Sequence, residues 1–71
     1  MCNTKYMKNN FSENLKLLRK QNNTTQNEIA KLCKTTTATV SRWENGVNEP
    51  DIYTLILIAD FFAITVDELI R

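Results

Sequence analysis

The chain has no histidine, one glycine, one proline and two cysteines in its 71 residues. Without histidine it lacks the commonest general base and any histidine-based metal site. Cys2 and Cys33 are too few for a disulfide framework or a four-ligand zinc site, and such sparing use fits a reducing cytoplasm. Long hydrophobic runs are missing as well. The longest, from Leu55 to Val66, is interrupted by Asp60 and falls short of the about 20 apolar residues that cross a bilayer. No basic-then-apolar leader opens the sequence. Enzyme, secreted miniprotein and membrane protein are all disfavoured on these grounds, and neither cofactor nor metal is expected.

What is present describes one small globular domain. Apolar residues make up 42% and charged residues 24%, which is neither disordered nor fibrous composition. A chain of this size buries only about 60% of the surface its unfolded form exposes, so one core is the limit. The net charge of +1 hides a division. Residues 1–42 hold eight Lys and Arg against Glu13 and Glu28, whereas residues 43–71 hold Arg71 against six acidic side chains. A basic half joined to an acidic half is expected where one end of a domain meets a polyanion, although two solvated faces can also differ by chance.

Helix signals follow one another along the chain. Residues 1–9 are polar and basic without periodicity and read as a loose arm, leaving 10–71 as the domain. Asn10 reads as an N-cap with Glu13 closing a capping box, and Phe11, Leu15 and Leu18 recur on one face to about Gln21. Thr25 and Glu28 form a second capping box before Ile29, Leu32 and Cys33, with the helix ending near Lys34. Thr36 caps a third helix that runs to Asn45 and stops at Gly46. Asp51 caps a fourth from Ile52 to about Phe62, and Thr65 with Glu68 opens a short fifth. The class is all-α, a compact five-helix bundle.

The second and third helices meet across the short connector Cys33–Thr36, which is helix-turn-helix spacing, with the later helix placed to enter a major groove. Ala30 allows the two helices to approach and Val40 packs back onto the first. On a helical wheel Thr37, Ala38, Ser41, Arg42 and Asn45 share one arc, all small or polar, while Val40, Trp43 and Thr36 lie opposite. An apolar inward face with a small, polar and basic outward face suits groove entry.

These residues resemble the Cro/C1-type (xenobiotic-response-element type) helix-turn-helix family. The resemblance runs over residues 11–70 and rests on Thr25-Gln26-Asn27-Glu28-Ile29-Ala30, Val40-Ser41-Arg42-Trp43-Glu44-Asn45-Gly46, Pro50 and Thr65-Val66-Asp67-Glu68-Leu69. It implies a lambda-repressor-like fold and sequence-specific binding of double-stranded DNA by a small transcriptional regulator, a repressor in the first reading. It further implies base-facing roles for Thr37, Ala38, Ser41 and Arg42, backbone contacts from Gln26, Thr36 and Asn45, and a salt bridge between Arg19 and Glu44. Lys34 and Asn23 stand where the family has turn glycines, and Thr24 replaces an apolar residue. A left-handed Lys34 would cost ~1–2 kcal/mol.

Each role has a plainer counterpart. Arg42 and Gln26 also fit a solvated surface, Trp43 fits the core better than a nucleobase stack, and Cys33 reads as a small core hydrophobe. Lys5 and Lys8 form either a DNA-grasping arm or a solvated tail. In the fourth helix Ile52, Leu55, Ile56, Ala59 and Phe62 read as the core stripe. Tyr53, Leu57 and Phe61 lie nearly opposite, and with Ile70 they read as a homodimer surface, or else as a stray patch beneath the arm. The partner expected is a pseudo-palindromic operator bound by two copies, with no small-molecule ligand. The rival reading is a protein-interaction module of the same fold, such as an antitoxin or adaptor.

Overall fold

A computed structural model describes residues 10–71. The N-terminal arm, including Lys5, Lys8 and Cys2, lies outside the described residues. Five α-helices follow in order: α1 Phe11–Gln21, α2 Gln26–Leu32, α3 Thr37–Glu44, α4 Ile52–Phe61 and α5 Val66–Ile70. The described residues contain no strand, and the fold is all-α with α2 and α3 as the helix-turn-helix pair.

Local chemistry starts four of these helices. The Thr25 hydroxyl accepts from the Glu28 amide at 3.1 Å while the Glu28 carboxylate accepts from the Thr25 amide at 2.8 Å. Thr65 and Glu68 repeat the arrangement at 3.0 and 2.9 Å. Both are reciprocal capping boxes, each satisfying two amides that have no partner inside the helix. Thr36 accepts from the Thr39 amide at 3.2 Å and Asp51 from the Thr54 amide at 3.0 Å. That bond to the Thr54 backbone holds the Asp51 carboxyl below its ordinary pKa.

The start of α1 corrects the expectation. Asn10 precedes the helix but its side chain makes no cap bond. Its amide instead donates to the Arg71 carbonyl at 2.6 Å, and its main-chain N–H donates to the Ile70 carbonyl at 2.8 Å. One turn later Asn14 donates to the Leu69 carbonyl at 2.8 Å. The last carbonyls of a helix lack intrahelical donors, and here α1 supplies them to α5, which ties the two ends of the domain together.

Four helices end alike. The residues after the C-caps, Asn23, Lys34, Gly46 and Ala63, all have positive φ, at 54, 56, 74 and 59°. In each case the following N–H reaches back five residues: Thr24 to Arg19, Thr35 to Ala30, Val47 to Arg42 and Ile64 to Ala59, at 2.8–2.9 Å. These are Schellman closures. Gly46 adopts the conformation without strain, whereas Lys34 and Ala63 take it at a cost of ~1–2 kcal/mol each. Ala63 was not foreseen as a left-handed residue.

The core gathers Phe11, Leu15, Ile29, Ala30, Val40, Trp43, Ile58, Ala59 and Leu69. Phe11 and Trp43 meet edge to face with ring centroids 6.4 Å apart, a favoured aromatic geometry. Trp43 is thus a core residue. Cys33 is half-buried against the same cluster, and burial raises its thiol pKa.

Helix α4 is rotated relative to the stripe read from the sequence. Its inward residues are Leu55, Ile58, Ala59 and Phe62, an i, i+3, i+4, i+7 set. Ile52 and Ile56, expected in the core, are 55% and 42% exposed. The helix is apolar nearly all round, so its own periodicity does not select a face; packing against α2 and α5 does.

Candidate nucleic-acid interface

The site begins with how α3 is held. Val40 and Trp43 anchor its inner side in the core. At its C-terminal end the Ser12 hydroxyl, from α1, donates to the Trp43 carbonyl at 2.6 Å. Glu44 turns inward as well and is 4% exposed. Arg19 reaches it from α1 with Nε 2.6 Å from Oε2 and Nη2 3.0 Å from Oε1, the two-pronged geometry that suits a guanidinium and a carboxylate. The hydrogen bond and charge of Glu44 raise the Arg19 pKa despite partial burial. Arg19 Nη1 also donates to the Thr24 carbonyl at 3.2 Å, which fastens the α1–α2 turn.

The opposite side of α3 faces outward. Thr37, Ala38, Arg42 and Asn45 are exposed, and Ser41 is half-buried between them. With 3.6 residues per turn, positions 37, 38, 41, 42 and 45 form one continuous strip along the helix. Asn45 is the C-cap, and its amide donates to the Ser41 hydroxyl at 3.3 Å. Arg42 takes part in no ion pair among the described residues. Thr36 is exposed at the N-cap rather than on the inward side where the wheel had placed it. Its hydroxyl is occupied by the Thr39 amide and lies 3.1 Å from the Thr39 hydroxyl.

Gln26 occupies a place the sequence did not foresee. It is half-buried at the start of α2, and its Nε2 donates to Glu44 Oε1 at 3.0 Å. Glu44 therefore joins side chains from α1, α2 and α3. Ser12 and the Gln26–Glu44 link were both missed, because pairs 31 and 18 residues apart leave no local pattern. Lys16 also escaped notice; it borders a polar depression together with Asn45 and Gly46 at the end of α3.

The residues read from the sequence as a dimer surface separate into two groups. Tyr53, Leu57 and Phe61 are exposed, Tyr53 by 76%. Ile70 is half-buried and packs against the core. With Ile52 and Ile56 in its place, the outer side of α4 forms an apolar band of five residues. Among the described residues no His, Cys, Asp and Glu cluster could hold a metal, and no helix is long and apolar enough to cross a membrane.

A family model described as helix-turn-helix matches residues 15–69. The chain belongs to this family, of the Cro/C1 type. The transcriptional activator BcrR of Enterococcus faecalis is 37% identical over 60 residues, which cover 84% of this chain and 29% of BcrR. A transcriptional regulator from Listeria innocua superposes with a TM-score of 0.86 at 36% identity, over 89% of this chain and 59% of that one. The P22 c2 repressor, solved with a synthetic operator, has a TM-score of 0.79 over 86% of this chain and 92% of its own, and at 21% identity it shows the shared fold. Hydroxypropylphosphonic acid epoxidase from S. wedmorenis, an enzyme, contains the same helical unit. It is 32% identical with a TM-score of 0.76 over 86% of this chain, but that is only 33% of the epoxidase. The chain thus spans less than two thirds of BcrR and of the Listeria regulator, and the fold alone does not separate regulator from enzyme component.

Proposed function

We propose that this helix-turn-helix domain binds double-stranded DNA sequence-selectively and acts in transcriptional regulation, with α3 in the major groove. One observation carries the reading: α3 buries Val40, Trp43 and Glu44 while leaving an unbroken strip of Thr37, Ala38, Ser41, Arg42 and Asn45 outside. Small residues let the helix approach base edges, and the guanidinium of Arg42 is suited to a guanine edge. Gln26 and Thr36 beside the strip and Asn45 at its C-terminal end serve as phosphate-backbone contacts, which position a domain without reading sequence. The regulatory role proposed is repression, by closing the DNA that the domain covers to other proteins, and its proposed place is the cytoplasm. The chain's own part is binding, without catalysis or cofactor.

The operator is bound by two copies. A single α3 reads only a few base pairs, and a two-fold pair doubles both base and phosphate contacts, with half-sites about 10 bp apart. The apolar band Ile52, Tyr53, Ile56, Leu57 and Phe61 is the surface offered to the second copy. Its charged neighbour Asp60 is exposed and lies at the rim, because a buried like-charge pair would oppose association.

Selection of duplexes from a random-sequence pool, followed by titration at several salt concentrations, tests the reading. A regulator enriches one pseudo-palindromic sequence and loses affinity steeply with salt. Weak binding without enrichment would instead favour a protein-interaction module.

A further inference from the structure

The Gln26–Glu44 hydrogen bond assigns a part in DNA binding to a residue that faces away from the DNA-facing strip. We propose that Glu44 is a positioning residue, whose carboxylate orients the Gln26 side-chain amide for contact with a DNA phosphate. The inference rests on the proposed phosphate contact by Gln26 and specifies what prepares it.

Three observations support this. The first is chemical. The end of a glutamine side chain carries an acceptor oxygen and a two-hydrogen donor nitrogen. Only the nitrogen can face a carboxylate, so a bond of 3.0 Å from Nε2 to Glu44 Oε1 selects one of the two amide orientations. One N–H is used, and the second remains on the same nitrogen for another acceptor.

The second is electrostatic. A carboxylate beside a phosphate would repel it, but Arg19 engages both oxygens of Glu44, at 2.6 and 3.0 Å. The pair is neutral as a unit and can orient Gln26 without opposing a polyanion. Arg19 by itself gives each Glu44 oxygen a donor, so satisfying these buried oxygens does not require Gln26.

The third is placement. Glu44 lies seven residues after Thr37 and three after Ser41, close to two turns and one turn along α3. It sits where the buried side of α3 meets the outward strip, and Gln26, half-buried, is held at that margin. A glutamine free to rotate would lose side-chain entropy on binding phosphate; one already bonded to Glu44 has less to lose.

The probe is the duplex that the wild-type chain selects from a random-sequence pool, with each phosphate replaced in turn by a neutral methylphosphonate. Gln26→Ala should weaken binding about tenfold in the wild-type background, the worth of one hydrogen bond to a charged group. The paired replacement Arg19→Met with Glu44→Leu removes the orienting carboxylate without stranding a charge. In that background Gln26→Ala should cost less than about twofold. One phosphate should be sensitive to methylphosphonate in the wild type and insensitive in both Gln26→Ala and the paired variant, a readout that loss of stability alone does not produce. If the paired variant is unfolded by circular dichroism, Glu44→Gln takes its place, because a neutral amide no longer compels the Gln26 orientation; the same phosphate should lose sensitivity. Equal losses from Gln26→Ala in both backgrounds, or a phosphate still sensitive without Glu44, would overturn the positioning role and leave the contact standing. Wild-type affinity in Gln26→Ala would overturn the contact and the positioning together.

Discussion

The hydroxyl of Ser12 donates to the main-chain carbonyl of Trp43 across 2.6 Å, joining the first turn of α1 to the last turn of α3. Among the described residues Trp43 O is otherwise reached only by the Gly46 amide, at 3.3 Å, in the closure of α3. The bond therefore completes a helix end that has few other donors. Ser12→Ala should lower stability by ~1 kcal/mol, read as a shifted urea midpoint with an unchanged slope. An unchanged midpoint would mean that water replaces the hydroxyl.

The Arg19–Glu44 pair is a larger interaction. Glu44 is deeply buried and Arg19 mostly so, and removal of one partner leaves an uncompensated charge. Arg19→Met alone should destabilise by ~3–5 kcal/mol, whereas Arg19→Met combined with Glu44→Leu should cost much less. A double-mutant cycle in denaturant unfolding measures the coupling directly. Additive losses would show that the two charges act independently.

Lys34 occupies a left-handed turn position at φ 56°. Glycine adopts that conformation without the Cβ clash, although it adds entropy to the unfolded chain. Lys34→Gly should therefore raise stability by up to ~1 kcal/mol, and thermal unfolding followed by circular dichroism is sufficient to see it. A loss of stability would locate favourable contacts in the lysine side chain that outweigh the strain.

Arg42 carries the guanidinium on the outward strip of α3. Arg42→Ala should reduce binding to the selected duplex by ~1–3 kcal/mol and relax the preference at one base pair per half-site. A repeated selection with the variant checks this. An equal loss on every duplex would reassign Arg42 to a phosphate.

The outer band of α4 is tested by Leu57→Glu. Phe61 within the band is braced edge to face by Phe62, with centroids 5.0 Å apart, so part of the surface is set before any partner arrives. Sedimentation at micromolar concentration should show a wild-type dimer and a monomeric variant. A monomeric wild type, with and without DNA, would remove the dimer from the proposal.

Local chemistry was legible in the sequence. Thr25 with Glu28, Thr36, Asp51, and Thr65 with Glu68 act on amides three residues away, so their caps depend on no other part of the chain. The same holds for the two sides of α3, since Val40 and Trp43 recur at helical spacing opposite Thr37, Ala38 and Arg42. The family motif also singled out Arg19 and Glu44 as partners. Tertiary structure decided the rest. Asn10 has the makings of a local cap, yet unsatisfied carbonyls at the end of α5 draw its amide away. Helix α4 is apolar on nearly every side, so its pattern leaves the buried face undetermined until α2 and α5 pack against it. Gln26 has a donor that either solvent or phosphate would accept, and only the meeting of three helices brings it to Glu44. In each case the deciding partner lies many residues away, where spacing along the chain carries no information about proximity in space.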